Sequence, residues 1–154
     1  MTRSLCRLIL ITIFSFTASA ASAQSGLASF ERDELTIVTE EGTEHIFDIE
    51  LAVDPKQQAQ GLMFRRQMPA DAGMLFIYKP SREAVMWMQN TFLPLDMLFI
   101  KADGRIVKIV ERTVPQSHKR IPAGEAITGV LELNGGTVSR LGIKTGDRVE
   151  HSSF

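Results

Sequence analysis

Leu95-Asp96-Met97-Leu98-Phe99-Ile100-Lys101-Ala102-Asp103-Gly104-Arg105-Ile106-Val107-Lys108-Ile109-Val110 is the stretch that decides the fold. Two short apolar runs, rich in β-branched and aromatic residues, flank Asp103-Gly104. Asp-Gly is the pair best suited to a two-residue turn, because both central positions of that turn need a positive φ. The segment therefore predicts a β-hairpin, and its strands are too short and too continuous in hydrophobicity for amphipathic helices.

Toward the amino terminus the same grammar recurs. Met74–Tyr78 and Ala84–Met88 read as strands separated by the turn residues Lys79-Pro80-Ser81. Further back, Leu35–Val38 and Ile46–Val53 flank Glu41-Gly42. The second run alternates from Phe47 to Leu51, which gives another hairpin with one half-buried strand. Between these groups lies a helix start: Asp54 as cap, Pro55 in the first position and Gln57 three residues after the cap. The helix is expected over about 54–66, with Gly61 placed for close backbone approach. Toward the carboxyl terminus, Val114–Ala126, with Pro115, Pro122 and Gly124, reads as a long exposed loop. Ile127–Leu133 is a strand, Thr137–Leu141 a helical turn ended by Gly142, and Gly146-Asp147 a turn into a last strand.

Many short strands with one helix and one helical turn, and no regular strand–helix alternation, argue against a doubly wound parallel sheet. The class expected is mainly β (α+β): a small, mostly antiparallel barrel or curled sheet, with a helix over one opening.

The first residues have the three parts of a secretory signal peptide in order. Arg3 and Arg7 are the only charges before an uncharged run from Leu8 to Ala20, and Ala21-Ser22-Ala23 offers a small-x-small cleavage site. The run thins into Ser, Thr and Ala too early for a spanning helix of about 20 apolar residues. The domain reading is thus 1–23 signal peptide, 24–34 flexible linker and 35–154 one globular domain, periplasmic or secreted, without stable membrane insertion after cleavage. Cleavage removes Cys6, the only cysteine, and leaves 15 basic against 18 acidic residues. The mature chain would then have neither disulfide nor thiol nucleophile, and its mild negative charge gives no footprint for nucleic acid.

Five blocks in order carry a family resemblance: Gln60-Gly61-Leu62-Met63-Phe64-Arg65; Asp71-Ala72-Gly73-Met74-Leu75-Phe76; Trp87-Met88-Gln89-Asn90-Thr91 with Pro94-Leu95-Asp96; Asp103-Gly104; and Leu131-Glu132-Leu133-Asn134-Gly135 with Gly142-Ile143-Lys144 and Gly146-Asp147. Over roughly 37–149 the chain resembles the bacterial and archaeal domain of unknown function 192 family. That resemblance implies a small β-rich domain, commonly exported, with no established activity and no catalytic residues to carry over. Some members hold a cysteine pair in the loop matching Val114–Ala126; this chain has none there.

Candidate site residues come from polar groups set among apolar strands. Asp96 and Glu132 both sit in strongly apolar runs, where a charge must be paired, hydrogen-bonded or protonated. They could form a hydrolase-like general acid/base pair, or point outward, or pair with Arg65, Arg66 or Arg140. Asn90 and Thr91 could bind a ligand or cap a turn. Asn134-Gly135-Gly136 could present N–H groups to an anion or simply turn the chain. Trp87, Asn90, Thr91, Asp96, Glu132 and Asn134 together form the expected surface for a small ligand or an envelope partner. A copper-binding alternative rests on Met86 and Met88, which alternate onto one side of a strand, with His45, His118 and His151 as possible nitrogen ligands. Methionine as core filler competes with that reading. No cofactor and no metal is expected.

Overall fold

The computed structural model describes residues 26–154; the residues read as a signal peptide lie outside them. Nine strands and two short helices follow one another: β1 (Glu31–Val38), β2 (Glu44–Ala52), α1 (Pro55–Gln60), β3 (Ala72–Arg82), β4 (Val85–Met86), β5 (Leu95–Ile100), β6 (Ile106–Val110), β7 (Ile121–Pro122), β8 (Ile127–Asn134), α2 (Thr137–Leu141) and β9 (Arg148–Glu150). Seven strands form one sheet in the order β6-β5-β8-β3-β2-β1-β9, and β4 pairs with β7 separately. Every neighbouring pair in the sheet is antiparallel except β2–β3, the pair joined through α1.

The sheet curls until its two edges meet. Arg105 and Arg148 form an antiparallel bridge. Val149 N–H donates to Gly104 O at 2.8 Å and Ile106 N–H to Asp147 O at 2.9 Å. Gly104 serves this seam as well as the hairpin: its φ is +80°, and a Cβ there would lie 2.3 Å from Val149 O. Only glycine meets both demands. The barrel-like, mainly β class read from the sequence is the one observed.

Strand alternation sorts the apolar residues into two clusters, one on each face. The barrel interior takes Leu35, Ile37, Phe47, Ile49, Leu75, Leu98, Leu131 and Leu133, plugged by Val138 and Ile143 around α2. The outer cluster takes Met74, Phe76, Tyr78, Met97, Phe99 and Val130, together with Leu62, Met86 and Met88 from the segments laid over the sheet. Residues on both faces of β5 and β8 are buried, which is why these strands read as continuous apolar runs and not as alternating ones.

Several boundaries differ from expectation. The helix expected to run to about 66 stops at Gln60, because Gly61 turns at φ +49° and its Cα packs so closely that a Cβ would lie 2.9 Å from the Phe76 ring. It lies on the outer face as the β2–β3 crossover, and α2 closes the barrel opening. The capping box is as expected: Asp54 Oδ1 accepts from Gln57 N–H at 2.8 Å, and Gln57 Oε1 accepts from Asp54 N–H at 3.2 Å. The stretch read as a flexible linker, 24–34, is in part structured. β1 begins at Glu31, because the longer β2 templates its polar residues, and Ala28 N–H and Ser29 O are bonded to Gln60 and Gln57 of α1. β3 runs on through Lys79-Pro80-Ser81, and the loop 114–126 contains β7, which pairs with β4.

Candidate functional site

The outer face of β3 and β8 is not fully covered. Between α1, the segment after Gly61 and the chain at β4 lies a cleft of about 540 Å³. Its apolar walls include Leu62, Met63, Phe76, Tyr78, Met86 and Trp87, and its polar groups include Gln58, Arg82, Thr91 and Glu132. Four of the five sequence blocks quoted above contribute lining residues, although they are far apart in the chain.

Glu132 occupies the floor. On β8 it stands beside Met74 of β3 and Met97 of β5. Its side chain thus lies among thioethers and is only 4% exposed. Its carboxyl makes no hydrogen bond or ion pair among the described residues, and burial alone pushes it up to about 8, so it carries a proton at neutral pH when the cleft is empty. Tyr78 is pushed up to about 12 by burial, an effect partly offset by Arg82. Its hydroxyl donates to Met86 Sδ at 3.5 Å. The Arg82 guanidinium lies 4.6 Å from the Tyr78 ring centre and donates to Gln58 Oε1 at 3.2 Å.

The rim is held by backbone that non-glycine residues seldom adopt. Phe64, Asn90 and Gln116 have φ of 66°, 56° and 59°. Phe64 N–H donates to Asn90 O at 2.9 Å, and Gln116 N–H to Thr91 O at 3.0 Å. Left-handed conformations at such residues cost on the order of 1 kcal/mol each and persist where surrounding contacts impose them. Here they hold the Gln89-Asn90 turn that follows Trp87, which is 44% exposed and lines the cleft.

Of the six expected site residues, the structure brings Trp87, Thr91 and Glu132 to this cleft. Asn90 sits on the rim turn, its side-chain amide 3.9 Å from Met63 Sδ. Asn134 instead holds a loop, donating to Pro69 O at 2.7 Å and Met68 O at 3.3 Å.

Asp96 is on the other side of the sheet. It pairs in register with Leu133, an interior residue, whereas Glu132 pairs with Met97 of the outer cluster. The expectation of an Asp96–Glu132 acid/base pair is corrected by that register: the sheet itself lies between them. The expected pairing with arginines fails too. Arg65 is bound to Glu50, Arg66 lies over the Phe92 ring, and Asp96 is satisfied by backbone N–H groups.

Met86 and Met88 are both buried in the outer cluster, as alternation required, whereas Trp87 between them is exposed. Their sulfurs serve different hydroxyls, Tyr78 for Met86 and Thr113 Oγ1, at 3.1 Å, for Met88. Packing into the core accounts for both. Among the described residues no group of three His, Asp, Glu or Cys side chains is arranged to hold a metal. Sequence reasoning missed Tyr78, Arg82 and Gln58 as wall residues. Tyr78 is the only tyrosine, but placing it on the face of Glu132 requires the β3–β8 register.

A family model described as "Uncharacterized ACR, COG1430", domain of unknown function 192, matches residues 36–151, and the chain belongs to this family. The fold is similar to that of a Sinorhizobium meliloti 1021 protein described as a "putative transcription regulator". The two are 50% identical, the match covers 84% of this chain and 100% of that one, and the TM-score is 0.81. It is similar also to a protein of unknown function from Novosphingobium aromaticivorans DSM 12444, 38% identical, over 89% of this chain and 100% of that one, with a TM-score of 0.77. No curated protein matches. Among the described residues no helix is long and apolar enough to cross a membrane.

Proposed function

We propose that this chain is an exported, non-enzymatic domain that holds a small ligand in the cleft above Glu132. One observation carries the reading: an open cleft of about 540 Å³ ends on a buried carboxyl with no partner of its own. Apolar walls interleaved with polar groups that can fix orientation suit a small-molecule site, and the volume is in the usual range. Export is supported by the order of charge, apolar run and small residues over positions 1–23. A lone carboxyl with no second acid, histidine or hydroxyl nucleophile engaged with it argues for binding over catalysis. The description of the Sinorhizobium protein as a "putative transcription regulator" is not carried over, because acidic residues outnumber basic ones once the leader is removed.

The test is native mass spectrometry of the protein purified from its own periplasm. The expected species begins at Gln24, has no free thiol and retains a small molecule that Trp87→Ala releases. A cytoplasmic protein retaining Cys6 would sink the export reading. A periplasmic protein with no retained mass, and no change in Trp87 emission across a metabolite extract, would sink the binding reading.

A further inference from the structure

We propose that the ligand is an organic cation, whose ammonium group pairs with the Glu132 carboxylate while its apolar body lies against Trp87, Tyr78 and the thioethers of Met63 and Met86. This rests on the reading of the cleft as a ligand site.

The other acids withdrawn from solvent each have partners within the chain. Asp96, fully buried, accepts from the N–H groups of Arg112, Gly136 and Val138. Asp147, 2% exposed, accepts from those of Glu40 and Lys144 at 3.0 and 2.7 Å. Half-buried Glu50 is paired with Arg65. Among the described residues Glu132 is the buried acid with no donor and no cation, and it lines the cleft. The partner that the chain withholds can arrive from outside.

The walls suit a cation. Aromatic faces attract positive charge, and thioether sulfur is polarisable. The cleft already shows the preference once, in Arg82 over the Tyr78 ring. Trp87 offers a second aromatic surface.

Of the charged and titratable groups on this face, the acid that shares Glu132's rung is Glu50 of β2, one strand beyond Met74, and it is already paired with Arg65. β3 contributes Tyr78, Lys79 and Arg82 at the wall and rim. β5 contributes Met97 and Phe99, and β6 contributes Lys108, which lies over the Phe99 ring and is bonded to Pro122 O. α1 contributes Gln58, and the β4 segment Met86, Trp87 and Thr91. Arg82 is engaged with Gln58 and Tyr78, so an anionic ligand would meet an occupied guanidinium at the rim and a carboxyl at the floor.

Trp87 is the only tryptophan in the chain and lines the cleft, so its fluorescence reports occupancy directly. The probes are phenethylamine, its uncharged analogue 2-phenylethanol and the anion 3-phenylpropionate, each titrated to millimolar concentration. The amine is expected to bind at least about tenfold more tightly than the alcohol, with the carboxylate weakest. Because the amine must displace the proton that burial keeps on Glu132, its affinity should climb roughly tenfold per unit from pH 6 toward 8, while the alcohol's stays flat. Glu132→Gln should abolish the preference for the amine over the alcohol.

If the alcohol binds as well as the amine, or the amine's preference survives Glu132→Gln, the cation inference falls and the ligand site stands. If none of the three probes moves Trp87 emission, the cation inference falls, and the retained-mass measurement decides the ligand site by itself. Should Glu132→Gln not fold, the pH dependence of the unaltered protein decides alone.

Discussion

Asp96 and Glu132 lie one rung apart on the paired strands β5 and β8 and point to opposite faces of the sheet. One residue's difference in register gives the same type of side chain two opposite fates. Inside, Asp96 is a hydrogen-bond acceptor that ties α2 and the chain after β6 to the barrel. Outside, Glu132 is a protonated acid at the floor of a cleft.

Asp96→Ala should therefore be severe. Its carboxylate accepts from Arg112 N–H at 2.8 Å, from Gly136 N–H at 2.9 and 3.0 Å, and from Val138 N–H at 2.9 Å. Hydrogen bonds to a buried charge contribute about 1.5–3 kcal/mol each, and their loss leaves N–H groups unsatisfied. Urea unfolding is expected to show a loss of about 3 kcal/mol or more, with α2 the first element to lose amide protection.

Glu132 makes stability depend on pH in a defined direction. Its folded-state value, about 8, lies above the ordinary carboxyl value of 4.5. Between those two the folded protein holds a proton that the unfolded chain has released, so stability falls as pH rises, and the decline ends above about 8. The slope is on the order of 1 kcal/mol per pH unit. Chemical denaturation at pH 5, 6, 7 and 8 should show it, and Glu132→Gln should flatten it. A flat profile in the unaltered protein would mean that the carboxyl is better solvated than its surroundings imply.

Gly61→Ala tests the joint between helix and cleft. A left-handed φ of +49° and a methyl 2.9 Å from the Phe76 ring act together. Strain and overpacking of this kind cost about 1–3 kcal/mol. Thermal unfolding should show the loss, and Trp87 emission should shift as Phe76 is pushed into the cleft.

The two methionines should behave differently. Met88→Leu conserves volume and should cost less than about 1.5 kcal/mol, because Thr113 Oγ1 keeps Leu95 O as an acceptor at 2.9 Å. Met86→Leu removes the sulfur that accepts from the Tyr78 hydroxyl, and an unsatisfied buried donor adds about 1–3 kcal/mol. Neither change should alter Cu(I) uptake, measured by competition with a chromophoric chelator. Loss of a tight Cu(I) site in the double variant would return these residues to a metal role.

Local chemistry made the β class, both hairpins, the Asp54 cap and the 137–141 turn readable, since each depends on neighbours in sequence. The candidate site was only partly readable because it depends on register. Nothing near Asp96 or Glu132 in the chain says which face either occupies; β5 and β8 are apolar on both sides, so alternation is silent where it is most needed. Tyr78 and Arg82 escaped notice for a related reason. The Lys79-Pro80-Ser81 text reads as a turn, whereas β3 continues through it and carries Arg82 back over the Tyr78 ring.

The seam between Gly104 and Val149 also sets an order in time. The three residues of β9 join β1, near the start of the fold, to the β5–β6 hairpin at its middle. A ribosome delivers them after the other strands found among the described residues. Until they emerge, β1 and β6 are two open edges exposing unpaired N–H and C=O groups, the kind of surface on which chains join one another. A nascent chain can thus form hairpins but cannot lock the barrel. Chains shortened before Arg148 should aggregate instead of folding more weakly.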